Sequence, residues 1–131
     1  MRFKILSTNH IIIKCKINKI EGNFLIDTGA SNSCINYLFA EKFNLNTIKS
    51  LEKASSATNE INDTYFSKSN TLEIDNLKKL NFEIILFDMT YINNSLKEKN
   101  LKVVDGIIGG DILNEFNANI NYEKKLLNLK L

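Results

Sequence analysis

The 131-residue chain has no proline, a single histidine and only two cysteines. Each scarcity removes a class of explanation. Without proline, and with no low-complexity stretch, nothing marks a rigid linker that would split the chain. Cys15 and Cys34 are too few and too far apart for a disulfide scaffold or a zinc site. Adding His10 does not make a transition-metal set, so no metal and no cofactor is expected. No apolar run approaches the roughly 20 residues that span a membrane. The start, "MRFKILSTNHIIIKCKI", is basic but lacks an apolar core and a small-residue cleavage site, which predicts no signal peptide. An excess of one charge is missing too: 17 basic against 15 acidic residues give a net +2, and the lysines are scattered. That excludes nucleic acid as an expected partner. The remaining expectation is a soluble, cytoplasmic protein forming one domain over residues 1–131, with 44% hydrophobic residues to build a core.

What is present reads mostly as strands. In "HIIIKCKINKI", Ile11, Ile13, Cys15 and Ile17 share one face while Lys14, Lys16 and Asn18 share the other. Glu21-Gly22-Asn23 predicts a hairpin turn into "FLID". "NFEIILF" at 81–87 predicts a buried strand, and "ANINYEKKLLNLKL" alternates on both sides of a polar turn. Helices are short and few. Asn36 is placed to cap "YLFAEKF", "DILNEF" sets Ile112, Leu113 and Phe116 at helical spacing, and "YINNSLKEK" is a weaker pattern. The two cysteines read as small buried hydrophobes and His10 as part of a surface turn.

Two stretches exceed what a plain β protein needs. "FLIDTGAS" drives an apolar strand into Asp27-Thr28-Gly29, and "VVDGIIGGDIL" runs an apolar pair into Gly109 and Gly110 before a helix. Paired glycines predict a backbone that passes close to something or takes positive φ. Alone, an acid before Thr-Gly is an ordinary turn residue. Asp105 reads as opening a turn with Gly106, and Asp111 as capping its own helix.

Taken together and in order, "FLIDTGAS" and, some 80 residues later, "GIIGGDIL" resemble the retropepsin-like aspartic proteases, single-domain relatives of pepsin and the retroviral proteases. The resemblance covers nearly the whole chain. It implies an all-β, closed-barrel-like acid-protease fold with one to three short helices. It implies an endopeptidase whose catalytic carboxylate is Asp27, within a loop supported by Thr28, Gly29, Ala30 and Ser31. Ile107, Ile108 and Gly109 would pack beneath that loop. The family's chemistry needs two carboxylates sharing a proton, and only one Asp-Thr-Gly occurs here. The implied partner is therefore a second copy across a two-fold axis, with Thr28 reaching over it and the terminal strand pairing with its counterpart through Leu127, Leu129 and Leu131. Peptides or unfolded segments are the implied substrate.

Two departures stand out. Many retroviral relatives carry an acid and an Arg where this chain has Ser31 and Gly110, so both halves of an ion pair are replaced together. The flap region, "KASSATNEINDTYFSKSNTLEI", has no glycine; Ser55, Ser56, Ala57, Thr58 and Asn59 are the expected tip. Two other readings stay open: a non-catalytic dimer holding an extended peptide by β-addition, and a half-site that pairs with a different chain.

Overall fold

The structure, a computed structural model, describes residues 1–49 and 64–131. The apolar alternation becomes β2 (Ile11–Ile17), flanked by the short β1 (Lys4–Ile5). β3 spans Ile20–Ile26 and β4 spans Cys34–Asn36. β5 (Ile48–Lys49) precedes a long hairpin of β6 (Tyr65–Ile74) and β7 (Leu77–Phe87). Helix α1 (Thr90–Glu98) leads to β8 (Gly106–Ile108), then α2 (Gly110–Glu115), β9 (Asn119–Asn121) and β10 (Leu126–Asn128). Eight strands run in the order β1-β2-β3-β8-β4-β7-β6-β5, and an extra β2–β6 pairing closes six of them into a barrel. β3 and β8 are parallel, β4 is antiparallel to β8, and β4 is parallel to β7.

The continuous apolar character of "FLI" now has a cause. Phe24 faces the barrel interior with Ile13, Ile35, Leu72, Ile84 and Ile108. Leu25 points the other way, into a second cluster with Cys34, Ile107, Val104 and Leu96 of α1. A strand covered on both faces has no position left for a polar residue. α1 is fixed there by Asn93, whose amide exchanges two hydrogen bonds with the backbone of Val104, at 3.2 and 2.9 Å.

The hairpin before β3 turns earlier than the sequence reading predicts. The loop is Asn18-Lys19, with φ of 50° and 70°, and the register Ile17↔Ile20 makes it a two-residue turn. Both central residues have positive φ, as the twist of a tight hairpin favours. Gly22 lies inside β3 instead, for reasons of space. A Cβ there would sit 2.8 Å from the Phe43 ring and 3.0 Å from Asp105 Oδ2.

Asn36 does cap the following 3₁₀ turn (Tyr37–Phe39), accepting from Leu38 N, although the expected helix stops there. β9 and β10 form a separate antiparallel pair, and the free side of β10 is taken by residues 1–3. Leu127 is thus buried in the chain's own core, while Leu131 is 90% exposed, so the terminal alternation serves an intramolecular sheet. Among the described residues, no helix is long and apolar enough to cross a membrane.

Candidate active site

β3 ends at Ile26, and the chain leaves the sheet with Asp27. Parallel pairing with β8 fixes where that happens. Ile26 is in register with Ile108, and Asp27 N donates to Ile108 O at 3.0 Å. The carboxylate is solvent-exposed, as are Thr28 and Gly29. Gly29 N donates to Asp27 Oδ1 at 2.9 Å, and Ala30 N to Asp27 O at 3.2 Å, so the loop curls around its acid. Ala30 is half-buried against the cluster under α1, and Ser31 is exposed.

The paired glycines answer to close approach rather than to positive φ; no glycine has positive φ. A Cβ on Gly109 would lie 2.7 Å from Ala30 O, closer than van der Waals contact permits. Gly110 N donates to that same oxygen at 2.7 Å. Ile107 belongs to the outer cluster, against which Ala30 packs, and Ile108 to the barrel core.

A tether that the sequence reading did not identify completes the loop. Ser33, 1% exposed, donates from Oγ to Asp111 Oδ1 at 2.7 Å and from its backbone N to the same oxygen at 3.0 Å. Ser33 Oγ also accepts from Gly109 N at 2.9 Å. Asp111 therefore does not cap its own helix with its side chain; it stitches α2 to the far end of the Asp27 loop. This neutral-to-charged clamp sits beside Ser31 and Gly110, where the ion pair is replaced. Asp105 is a further correction. It is buried and leads straight into β8 rather than opening a turn with Gly106, accepting from Asn23 N at 2.8 Å and from Lys42 Nζ at 2.8 Å. The only signal for either role is an acid beside a glycine, which a turn explains equally well.

Cys34 follows the loop as a buried thiol, pushed up to about 12 by burial; the Ile107 backbone hydrogen bond opposes this, and Asp111 and Asp27 add to it. The expected flap tip, Ser55, Ser56, Ala57, Thr58 and Asn59, lies outside the described residues.

The model of the aspartyl protease family matches residues 13–112. The chain belongs to that family. No curated protein matches it. Among solved structures it is similar to a retropepsin-like aspartic protease from Rickettsia conorii, at 17% identity and a TM-score of 0.66, covering 97% of this chain and 86% of that one. It is also similar to the protease of EIAV complexed with the inhibitor HBY-793, at 15% identity and a TM-score of 0.64, covering 90% and 98%. The retroviral protease-like domain of Ddi1 from Leishmania major is similar at 16% identity and 0.60, covering 92% and 87%. The fold is thus retropepsin-like: a closed β barrel with two short helices among the described residues. The matched region runs from within β2 through the first turn of α2, and it contains the Asp27 loop, Ser33 and Asp111.

Proposed function

We propose that this aspartyl protease family member is an endopeptidase acting as a two-fold homodimer, with Asp27 of each chain forming one shared catalytic pair. The observation that carries the reading is an exposed Asp27 on a loop whose backbone is fixed at both ends, by Ile108 O and by Gly110 N. Two facing carboxylates hold one proton between them, because two adjacent negative charges are mutually destabilising. The unprotonated carboxylate takes a proton from a water molecule as it attacks the peptide carbonyl. The protonated one donates to the carbonyl oxygen, giving a neutral gem-diol. Return of protons to the leaving nitrogen then breaks the C–N bond.

Thr28 would fix the two loops by hydrogen bonding across the axis, and Gly29 would offer backbone groups to an extended substrate. Ala30 and Ser31 would support the loop, with Ile107, Ile108 and Gly109 holding it from below. The substrate is a peptide or an unfolded segment. A folded chain would not present an extended backbone to such a cleft.

The test is cleavage of a diverse peptide pool at several pH values and over a wide range of protein concentration. The expected result is cleavage that rises faster than linearly at low concentration and falls by about 10³-fold or more in Asp27→Asn. A dimeric protein that binds peptides but cleaves none, equally in both forms, would overturn the enzymatic reading.

A further inference from the structure

Asp105 is the one buried charged residue among those described, and the proposed chemistry does not use it. Replacing a buried ion pair by apolar residues is often neutral or stabilising, so its presence points to a role other than bulk stability. Fixing a register is the best-attested such role. Asp105 immediately precedes β8, and it is bonded on every side before that strand begins. On the β3 side, Asn23 N donates to Asp105 Oδ2 at 2.8 Å, and Asp105 N donates to Asn23 O at 2.8 Å. On the β4 side, Asn36 N donates to Asp105 O at 2.8 Å. Lys42, in the bend after the 3₁₀ turn, supplies the cation. Its Nζ stands 2.8 Å from Oδ1 and 5.1 Å from the centre of the Phe43 ring. The lysine side chain is 46% exposed, against 7% for Asp105. Three segments far apart in sequence thus meet at one carboxylate.

From this junction the register runs straight to the site. Phe24, Leu25 and Ile26 pair with Gly106, Ile107 and Ile108, and the next bond is Asp27 N to Ile108 O at 3.0 Å. Just past β8, Gly110 N donates to Ala30 O at 2.7 Å, so the far end of the loop hangs from the same strand. A shift of β8 along β3 would move both anchors of the loop together. β8 has only three residues, and parallel pairing is slightly less stable per residue than antiparallel. The bond from Asn23 N to the Asp105 carboxylate opposes such a shift at the entry of the strand.

We infer that Asp105 and Lys42 are a positioning pair for the Asp27 loop. The ion pair sets where β8 enters between β3 and β4, and β8 sets where Asp27 leaves the sheet. Lys42 holds the carboxylate against Asn23 N, and the Phe43 ring beside the ammonium restricts where it can stand. Neither residue belongs to the loop, and both act through the backbone of β8. The consequence for catalysis rests on the shared-pair reading above, whereas the geometric role is independent of it.

Amide hydrogen exchange on the full chain separates positioning from bulk stability. Lys42→Met keeps an apolar stem against Phe43 and removes the charge. Exchange at the Asp27 and Gly110 N–H groups is expected to quicken by about tenfold or more, with the amides of β2 unchanged. Lys42→Arg should restore the wild-type rates at both. In the cleavage assay Lys42→Met should lower kcat by about tenfold or more and leave KM within about twofold, because a displaced loop misplaces the reacting groups rather than the peptide. If that variant fails to fold, Lys42→Met combined with Asp105→Asn leaves no buried charge unpaired and should quicken the same two amides. Exchange that quickens throughout the barrel overturns the inference, since the pair then supports stability alone. Unchanged exchange at Asp27 and Gly110 overturns it too, as does an unchanged kcat in a cleaving enzyme. Two quickened amides in a chain that cleaves nothing keep the positioning pair and remove the protease.

Discussion

At the scale of single residues, the Asp27 loop depends on Ser33 as much as on its glycines. The Ser33 hydroxyl is donor to Asp111 and acceptor from Gly109 N, and it is buried. Ser33→Ala leaves a buried backbone N–H without its acceptor and removes one of two bonds to a carboxylate. It should cost about 1–3 kcal/mol in urea unfolding, with Ser33→Thr recovering part of it. The cysteines behave oppositely, as inert filler. Burial, and secondarily Asp105, raises Cys15, while Cys34 stands near 12. Both lie above their ordinary value of 9.0, so the stability this difference contributes is complete below about pH 9 and for Cys34 is lost as pH climbs toward 12. A thiol reagent at pH 8 should label neither cysteine in the native protein and both in denaturant. The burial of these two was readable from their apolar strand positions. The Ser33–Asp111 clamp was not: its partners are 78 positions apart, and nothing local distinguishes Asp111 from an ordinary helix-start acid.

At the scale of elements, the β2–β3 hairpin shows how a correct pattern can carry a misplaced turn. Gly22 reads as turn punctuation, yet it is a notch for the Phe43 ring, and Asn18-Lys19 makes the bend. Lys19 holds a φ of 70° without glycine's freedom. Lys19→Gly should therefore raise stability by up to about 1 kcal/mol, measured by thermal or urea unfolding, and replacing the same residue with Val should lower it. Strand existence was legible because alternation is a strong signal. The terminal segment shows its limit, since alternation at Leu127 and Leu129 reveals an apolar face but not which sheet it belongs to. Only the contacts with residues 1–3 and β9 decide that. The candidate site was legible because Asp-Thr-Gly and Ile-Ile-Gly encode backbone geometry over a few residues, and β3–β8 pairing brings the two together.

At the scale of the whole molecule, the barrel closes through β2 and β6 at only two register pairs, Lys16↔Glu73 and Ile17↔Leu72. The β2–β3 and β6–β7 ladders are far longer, so the core is carried by hairpins and the closure is brief. In the proposed dimer, association would add what closure lacks. A dimer that exists only between folded chains should show a midpoint of thermal unfolding that rises with protein concentration. Scanning calorimetry over a hundredfold dilution range checks it, and a constant midpoint would mean that folding and association are not coupled.

Asp27 sits exposed on a chain that holds one such motif. Under the proposed shared pair, each molecule would bring half a catalyst, and the amount of whole catalyst in a dilute compartment would follow the square of abundance. Halving the copy number would then quarter proteolysis, and doubling it would quadruple the damage to bystander peptides. Synthesis rate alone would then act as a control knob, steep at low expression and nearly linear once pairing saturates.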